Sequence, residues 1–404
     1  MTGGGARAGY QVGVLKAIAQ IRRDCGIDEG NPFPVISGTS AGAINAAALA
    51  CRADDFDVAV DDLCKVWANF HARQVYRAGL FGIIVTGARW LTMMTVAWLL
   101  PGSRRAQPRS LLDNAPLRAS LKDWIDPQRI REHLRKGHLQ GLAVTGSSYG
   151  SGLHVTFYDA AREILPWTRS KRVAVRDAIE RDHLLASSAI PFVFPAVPLC
   201  IEGHTEYFGD GSMRQTAPIS PAIHLGSDRI LVVGAGRLRE PPGPRKGSAD
   251  YPNLAQIAGH ALSNIFLDSL TADVERLQRI NETLKLLPAQ DRGKTHLRPI
   301  DVLLISPSER LDDMAARHIG DLPLAIRALL RPVGVAGRGQ AARGAALASY
   351  LLFEAGYTRE LIALGVKDTM ARRDEVCAFF GWSARTGRAD QPVIRENMKT
   401  GGAE

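Results

Sequence analysis

A serine set between glycines, Gly38-Thr39-Ser40-Ala41-Gly42, is the stretch of this 404-residue chain best suited to chemistry. The apolar run Phe33-Pro34-Val35-Ile36-Ser37 precedes it and the small-residue run Ala41 to Ala50 follows, so the pattern predicts a strand, a tight turn and a helix. A hydroxyl on such a turn stands at a helix N-terminus, where backbone N–H groups and the helix dipole favour the charge that develops when a carbonyl is attacked. Gly38 and Gly42 supply the room, because a turn this tight leaves no space for side chains beside the serine. Acyl transfer through Ser40 then needs donors for an oxyanion and a base for the hydroxyl proton.

The donors have one candidate. Gly3-Gly4-Gly5-Ala6-Arg7 opens a helical pattern marked by Val12, Leu15, Ile18 and Ala19, and its unobstructed N–H groups suit an oxyanion hole or a phosphate cradle equally. The second use stays open: Gly3-x-Gly5-x-x-Ala8 also fits a relaxed dinucleotide fingerprint, with Asp24 or Asp28 as the ribose carboxylate, although no strand precedes it. For the base, Asp210 lies between glycines in Tyr207-Phe208-Gly209-Asp210-Gly211-Ser212, a setting that equally suits a plain Asp-Gly turn. Upstream, Ala186-Ser187-Ser188-Ala189-Ile190-Pro191 ends a helix-like segment and enters the apolar run Phe192 to Val197. His224, His260, His296 and His318 follow in the order a Ser-Asp-His triad would use, but none sits in a distinctive local pattern.

Taken in order, Gly3 to Arg7, Gly38 to Gly42, Ala186-Ser187-x-x-x-Pro191 and Asp210-Gly211-Ser212 resemble the four signature blocks of the patatin-like phospholipases. The resemblance implies an α/β fold of three layers, with a central, mostly parallel sheet flanked by helices. It implies a Ser-Asp dyad in which Asp210 deprotonates Ser40 without a histidine, and hydrolysis of a lipid ester through an acyl-enzyme without metal or cofactor. N–H groups of Gly3, Gly4, Gly5 and Ala41 would hold the oxyanion and Arg7 would steady the loop, while Gly38, Gly42, Pro191 and Gly211 support the geometry. Two positions depart from the family pattern, Ala8 in place of a usual glycine and Ser212 in place of Gly or Ala; both keep a small residue. An aspartate with an ordinary pKa near ~4 is a weak base at neutral pH, so Asp210 is expected to be desolvated, with Phe208 and Tyr207 contributing. A lipid-binding member without turnover is the alternative reading.

At 46% hydrophobic residues the chain supports a large core. The expected division is a catalytic domain over 1–306, a helical region over 307–383 and a disordered tail over 384–404. The strand-like Asp301 to Ser306 is expected to close the same sheet. Five scattered cysteines without a C-x-x-C pair indicate a reducing, cytoplasmic setting. The net charge of +9 suits an anionic partner, and with no nucleic-acid module in the sequence a membrane surface is the partner expected. Leu80 to Leu100 is the most apolar stretch, but Arg89 and Pro101 argue against a simple span, which leaves lid-like amphipathic helices that dip into a bilayer as a peripheral contact. Nothing in the sequence addresses oligomeric state.

The pattern further predicts helices at Asp54 to Ala72, Ala115 to Ile125, Pro127 to Lys136 and Val175 to Ser188. Strands are expected at Leu139 to Thr145, Leu153 to Tyr158 and Arg229 to Val233, and a surface loop at Arg237 to Asn253. From Glu309 on the pattern is helical, with Leu322 to Leu330, Ala341 to Glu354 and Thr358 to Ala371 as candidate helices. A fold of this type delivers its glycine loop from a buried strand, and Met1-Thr2 is too short to be one. The expectation is therefore a chain whose true start lies upstream, with Met1 at the end of the missing first strand; were this start genuine, the sheet would lack a strand and the oxyanion loop its anchor.

Overall fold

The computed structural model describes residues 1–77, 110–237, 251–265, 269–335, 337 and 344–383. The expectations for Leu80 to Leu100, for the loop over 238–250 and for the tail over 384–404 lie outside these residues.

The strands are β1 (Val35–Thr39), β2 (Gly141–Ser148), β3 (His154–Ala160), β4 (Thr168–Arg169), β5 (Arg172–Arg176), β6 (Val197–Ile201), β7 (His204–Asp210), β8 (Arg229–Val233) and β9 (Asp301–Ile305). The helices up to the second half of the chain are α1 (Gly9–Asp24), α2 (Ala41–Ala50), α3 (Phe56–Ala68), α4 (Ala115–Trp124), α5 (Pro127–Lys136), α6 (Arg181–Ser187) and α7 (Ser220–His224). After them come α8 (Leu254–Ser263), α9 (Ser269–Leu286), α10 (Leu311–His318), α11 (Leu324–Leu330), α12 (Ala345–Leu351), α13 (Ala355–Met370) and α14 (Arg373–Phe380). Helix α5 shows how locally some of these are fixed. Asp126 caps it through Gln128 N–H, Pro127 fits the first turn, and Gly137 ends it in the left-handed conformation.

The sheet is flanked by helices, as expected, but it is mixed rather than mostly parallel: among the described residues four of its six strand pairs are antiparallel. Its order runs β4-β5-β3-β2-β7-β6, and β1 pairs in parallel with the first half of β2. One edge of β2 therefore serves two partners in succession: β1 along Gly141 to Thr145, then β7, antiparallel, along Gly146 to Ser148. That register brings the end of β1 and the end of β7 together. Two further expectations change. Asp301 to Ile305 does not close this sheet; it pairs in parallel with β8 alone, in a separate two-stranded sheet. Val175 to Ser188 is not one helix, because the alternating Arg172-Val173-Ala174-Val175-Arg176 pairs with β3 and helix begins only at Arg181.

Met1 and Thr2 lie between β1 and β8 and bond to both. The Met1 ammonium donates to Ser37 O at 2.8 Å and Thr39 N–H to Met1 O at 3.2 Å; Thr2 N–H donates to Val233 O at 3.3 Å. Ala235 N–H donates to Thr2 Oγ1 at 3.0 Å and Gln11 Nε2 to Thr2 O at 2.7 Å. The glycine loop is thus anchored, contrary to expectation, by two residues that join both strand pairs. One apolar core cluster runs from Ala6 to Val376, so the C-terminal helices share it. Helices α1 and α13 pack backbone to backbone: a Cβ at Gly13 would stand 2.1 Å from Ile362 O, and one at Gly365 2.3 Å from Tyr10 O.

Candidate active site

Ser40 follows β1 and caps α2 with φ 55° and ψ −132°, a conformation non-glycine residues rarely hold, at a typical cost of about 1–3 kcal/mol. Its neighbours make the turn possible. A Cβ at Gly38 would lie 2.4 Å from Gly42 O, and one at Gly42 would lie 2.5 Å from Thr2 O. The Ser40 N–H donates to Ser187 Oγ at 2.8 Å, which gives the Ala186-Ser187 block its physical role: it holds the elbow from outside.

Asp210 arrives along the same edge of β2, at the end of β7. Thr39 pairs with Thr145 and Asp210 with Gly146, so adjacent residues of one strand carry the predecessor of Ser40 and the carboxylate. The Ser40 hydroxyl donates to Asp210 Oδ2 at 2.6 Å, and Ser212 N–H donates to Oδ1 at 2.9 Å. Asp210 N–H donates in turn to Ala189 O at 2.9 Å. Gly211 is needed here, since its Cβ would lie 2.3 Å from Thr145 O.

The carboxyl group is fully buried, and burial pushes its pKa up to about 6 although hydrogen bonds from Ser40 and Ser212 favour the charged form. Phe208 is fully buried in the same strand, whereas Tyr207 is 58% exposed and adds little, contrary to expectation. Alternation along β7 turns one aromatic inward and the other out. Behind the elbow, Gln215 Nε2 donates to Thr39 Oγ1 at 2.7 Å and the hydroxyls of Thr39 and Thr145 lie 2.8 Å apart. His154, buried beside the Gly211 backbone, is held neutral by burial, which lowers its pKa to about 4.

Gly5 and Ala41 line the same cavity as Ser40. Gly3 and Gly4 do not line it; Gly4 packs against Ala235, whose Cβ would stand 2.6 Å from a Cβ there. Arg7 points away into the protein, 3% exposed. The cavity holds about 500 Å³ and follows one face of α2 through Ile44, Asn45, Ala48, Cys51 and Arg52. At 1.5 Å per residue, Ser40 to Arg52 spans about 18 Å. Trp67, Phe70, Leu117, Ile190, Phe194 and Phe353 make its walls apolar, and Asp62, Lys65, Lys122 and Arg129 give it charged edges. Pro191 begins the turn that places Ile190 and Phe194 in this wall.

Other candidates are not brought to the site. Asp24 lies at the far end of α1, about 24 Å along the helix by its rise, and pairs with Arg373 at 2.6 Å; Asp28 is farther still along the chain. His224 stacks on Trp167 at 4.4 Å and His318 pairs with Asp321 at 2.7 Å; among the described residues no histidine lines the cavity. Sequence reasoning did not single out Ser187, Thr145, Gln215 or His154. Only Ser187 carried a signal, as part of a recognised block; the others act through pairing and burial that local sequence does not encode.

A family model described as patatin-like phospholipase matches residues 1–223. Among solved structures the chain is similar to VipD from Legionella pneumophila, with 13% identity, a TM-score of 0.30 and coverage of 93% of this chain. It spans 66% of the length of that chain. No curated protein matches it.

Proposed function

The chain belongs to the patatin-like phospholipase family, and from that premise we propose that it is a serine lipid acyl hydrolase acting through an acyl-enzyme on Ser40. Family membership implies lipid acyl hydrolysis; the residues and steps that follow are our reading. The observation that carries it is the 2.6 Å hydrogen bond to a buried carboxylate from Ser40, which itself lines an apolar cavity.

Asp210 Oδ2 takes the Ser40 proton as Oγ attacks the ester carbonyl. The oxyanion forms at the α2 N-terminus, where the Ala41 N–H and the helix dipole meet the N–H of Gly5, the one glycine of the loop that lines the cavity. Protonated Asp210 returns the proton to the leaving alcohol, which departs as the C–O bond breaks. In the second half Asp210 deprotonates a water that attacks the acyl-enzyme, and the proton then returns to Ser40 Oγ as the fatty acid leaves. A base with a pKa pushed up to about 6 is still ionised at neutral pH and is a stronger acceptor than an ordinary carboxylate.

One acyl chain lies along α2 in the cavity, with the headgroup outside. Residues 1–306 form the catalytic unit and 307–383 its helical complement in this reading. Contact with a membrane surface is part of it, carried by positive charge and the Leu80 to Leu100 stretch. Among the described residues no helix is long and apolar enough to cross a membrane.

The test is release of fatty acid from phosphatidylcholine vesicles and of p-nitrophenol from p-nitrophenyl butyrate, by wild type, Ser40→Ala and Asp210→Asn. Loss of both activities in both variants is expected. Activity surviving in Ser40→Ala refutes the mechanism. No turnover by the wild type, together with retained fatty-acid binding, selects the lipid-binding alternative.

A further inference from the structure

The Arg7 side chain turns its back on the cavity and enters a socket built by the C-terminal half of the chain. Its Nε donates to Ser349 Oγ at 2.8 Å, and its Nη2 donates to Asp312 Oδ1 at 2.5 Å and to Ala346 O at 3.3 Å. The guanidinium carbon lies 4.0 Å from the centre of the Tyr350 ring. Ser349 is itself fixed, since its hydroxyl donates to Ala346 O at 2.6 Å. Two residues earlier the loop rests on the same helix: Gly5 has φ 55°, and a Cβ there would stand 2.3 Å from Tyr350 O.

All four socket residues lie outside the residues 1–223 matched by the family model. Burying a guanidinium is costly unless its charge is paired and its N–H groups are used, and this socket does both. The planar fork explains arginine here: it reaches a carboxylate and a hydroxyl while lying on an aromatic face, which an ammonium cannot do.

We propose that Asp312 and Ser349 are positioning residues for the reaction, holding Arg7 and, through it, the backbone of the Gly3 to Gly5 loop at the height the oxyanion requires. The proposal rests on the catalytic reading of Ser40 and that loop. The socket stands behind the loop, so neither residue touches substrate. Their effect reaches the reacting atoms only through the loop backbone, and displacements of about 1 Å in such donors suffice to cost about 100-fold in rate.

Amide exchange of the peptide covering residues 1–9 and turnover of p-nitrophenyl butyrate are measured for wild type, Asp312→Asn, Asp312→Glu and Ser349→Ala. Ser349→Ala keeps the ion pair and guards against misfolding in Asp312→Asn. Exchange of the loop should rise in Asp312→Asn and Ser349→Ala, and kcat should fall about 10- to 100-fold while KM stays within about twofold. Asp312→Glu should recover most of both. Unchanged loop exchange overturns the proposal, as does an unchanged kcat per folded molecule. If instead the wild-type turnover survives Ser40→Ala, the catalytic reading fails, and exchange alone then decides whether the socket holds the loop.

Discussion

Replacing Asp210 by asparagine should abolish turnover and at the same time make the protein more stable, by an amount that depends on pH in a defined direction. In the folded protein the carboxyl has a pKa pushed from 3.8 to about 6, chiefly by burial. Below about pH 4 the group is protonated both folded and unfolded, so the shift costs nothing. As pH rises toward 6 the unfolded chain releases the proton and the folded one keeps it, and stability is lost progressively. Above 6 the full penalty applies, about two pKa units or on the order of 3 kcal/mol. Asparagine keeps the geometry, because its Oδ1 still accepts from Ser212 N–H and its Nδ2 donates to Ser40 Oγ. The expected gain is therefore on the order of 3 kcal/mol at pH 8, falling to about 1 kcal/mol by pH 4.5. For 404 residues at about 2.1 cal/mol/K per residue, the larger figure corresponds to a Tm higher by about 3–4 °C. Thermal unfolding of wild type and variant, followed by circular dichroism at both pH values, reads the difference directly. A Tm difference that is the same at pH 8 and pH 4.5, or a variant less stable at pH 8, would refute the claim that desolvation sets the basicity of Asp210.

Three more outcomes follow from the same geometry. The kcat/KM for p-nitrophenyl butyrate should show an acid limb with an apparent pKa near 6, falling below it because Asp210 must be ionised to accept the Ser40 proton; a limb near 4 would mean an undisturbed carboxylate. Ser187→Ala leaves the buried Ser40 N–H without its acceptor and should cost about 1–3 kcal/mol in denaturant unfolding, with a drop in kcat; full activity and stability would show that the elbow needs no such support. Gly42→Ala drives a Cβ to 2.5 Å from Thr2 O and should destabilise by about 1–3 kcal/mol, read by the same unfolding measurement, and an unshifted midpoint would contradict the tight packing of Met1 and Thr2 against the elbow.

How much of this was written locally can be argued residue by residue. Gly38, Ser40 and Gly42 form a readable pattern because a single turn dictates all three: the close approaches at Gly38 and Gly42 are consequences of one backbone path. Helix α5 and strand β8 were likewise legible, the first from its caps and the second from an unbroken apolar run. Asp210 was recognisable only by its company with the other blocks, since an Asp-Gly turn means little alone. What joins it to Ser40 is the register of β2, where Thr145 takes Thr39 and Gly146 takes Asp210. No residue of β2 announces that double role.

The same limit explains the miss at Val175. Arg172 to Arg176 becomes a strand because β3 offers it an edge, and an edge is a property of the assembled sheet rather than of five residues. It bears on the glycine loop as well. A two-residue lead cannot be a strand by any local rule, yet Met1 and Thr2 hydrogen-bond to β1 and β8 at once. The glycine loop is therefore held in front by Thr2 and behind by the socket around Arg7, and neither support could be found by reading its own five residues.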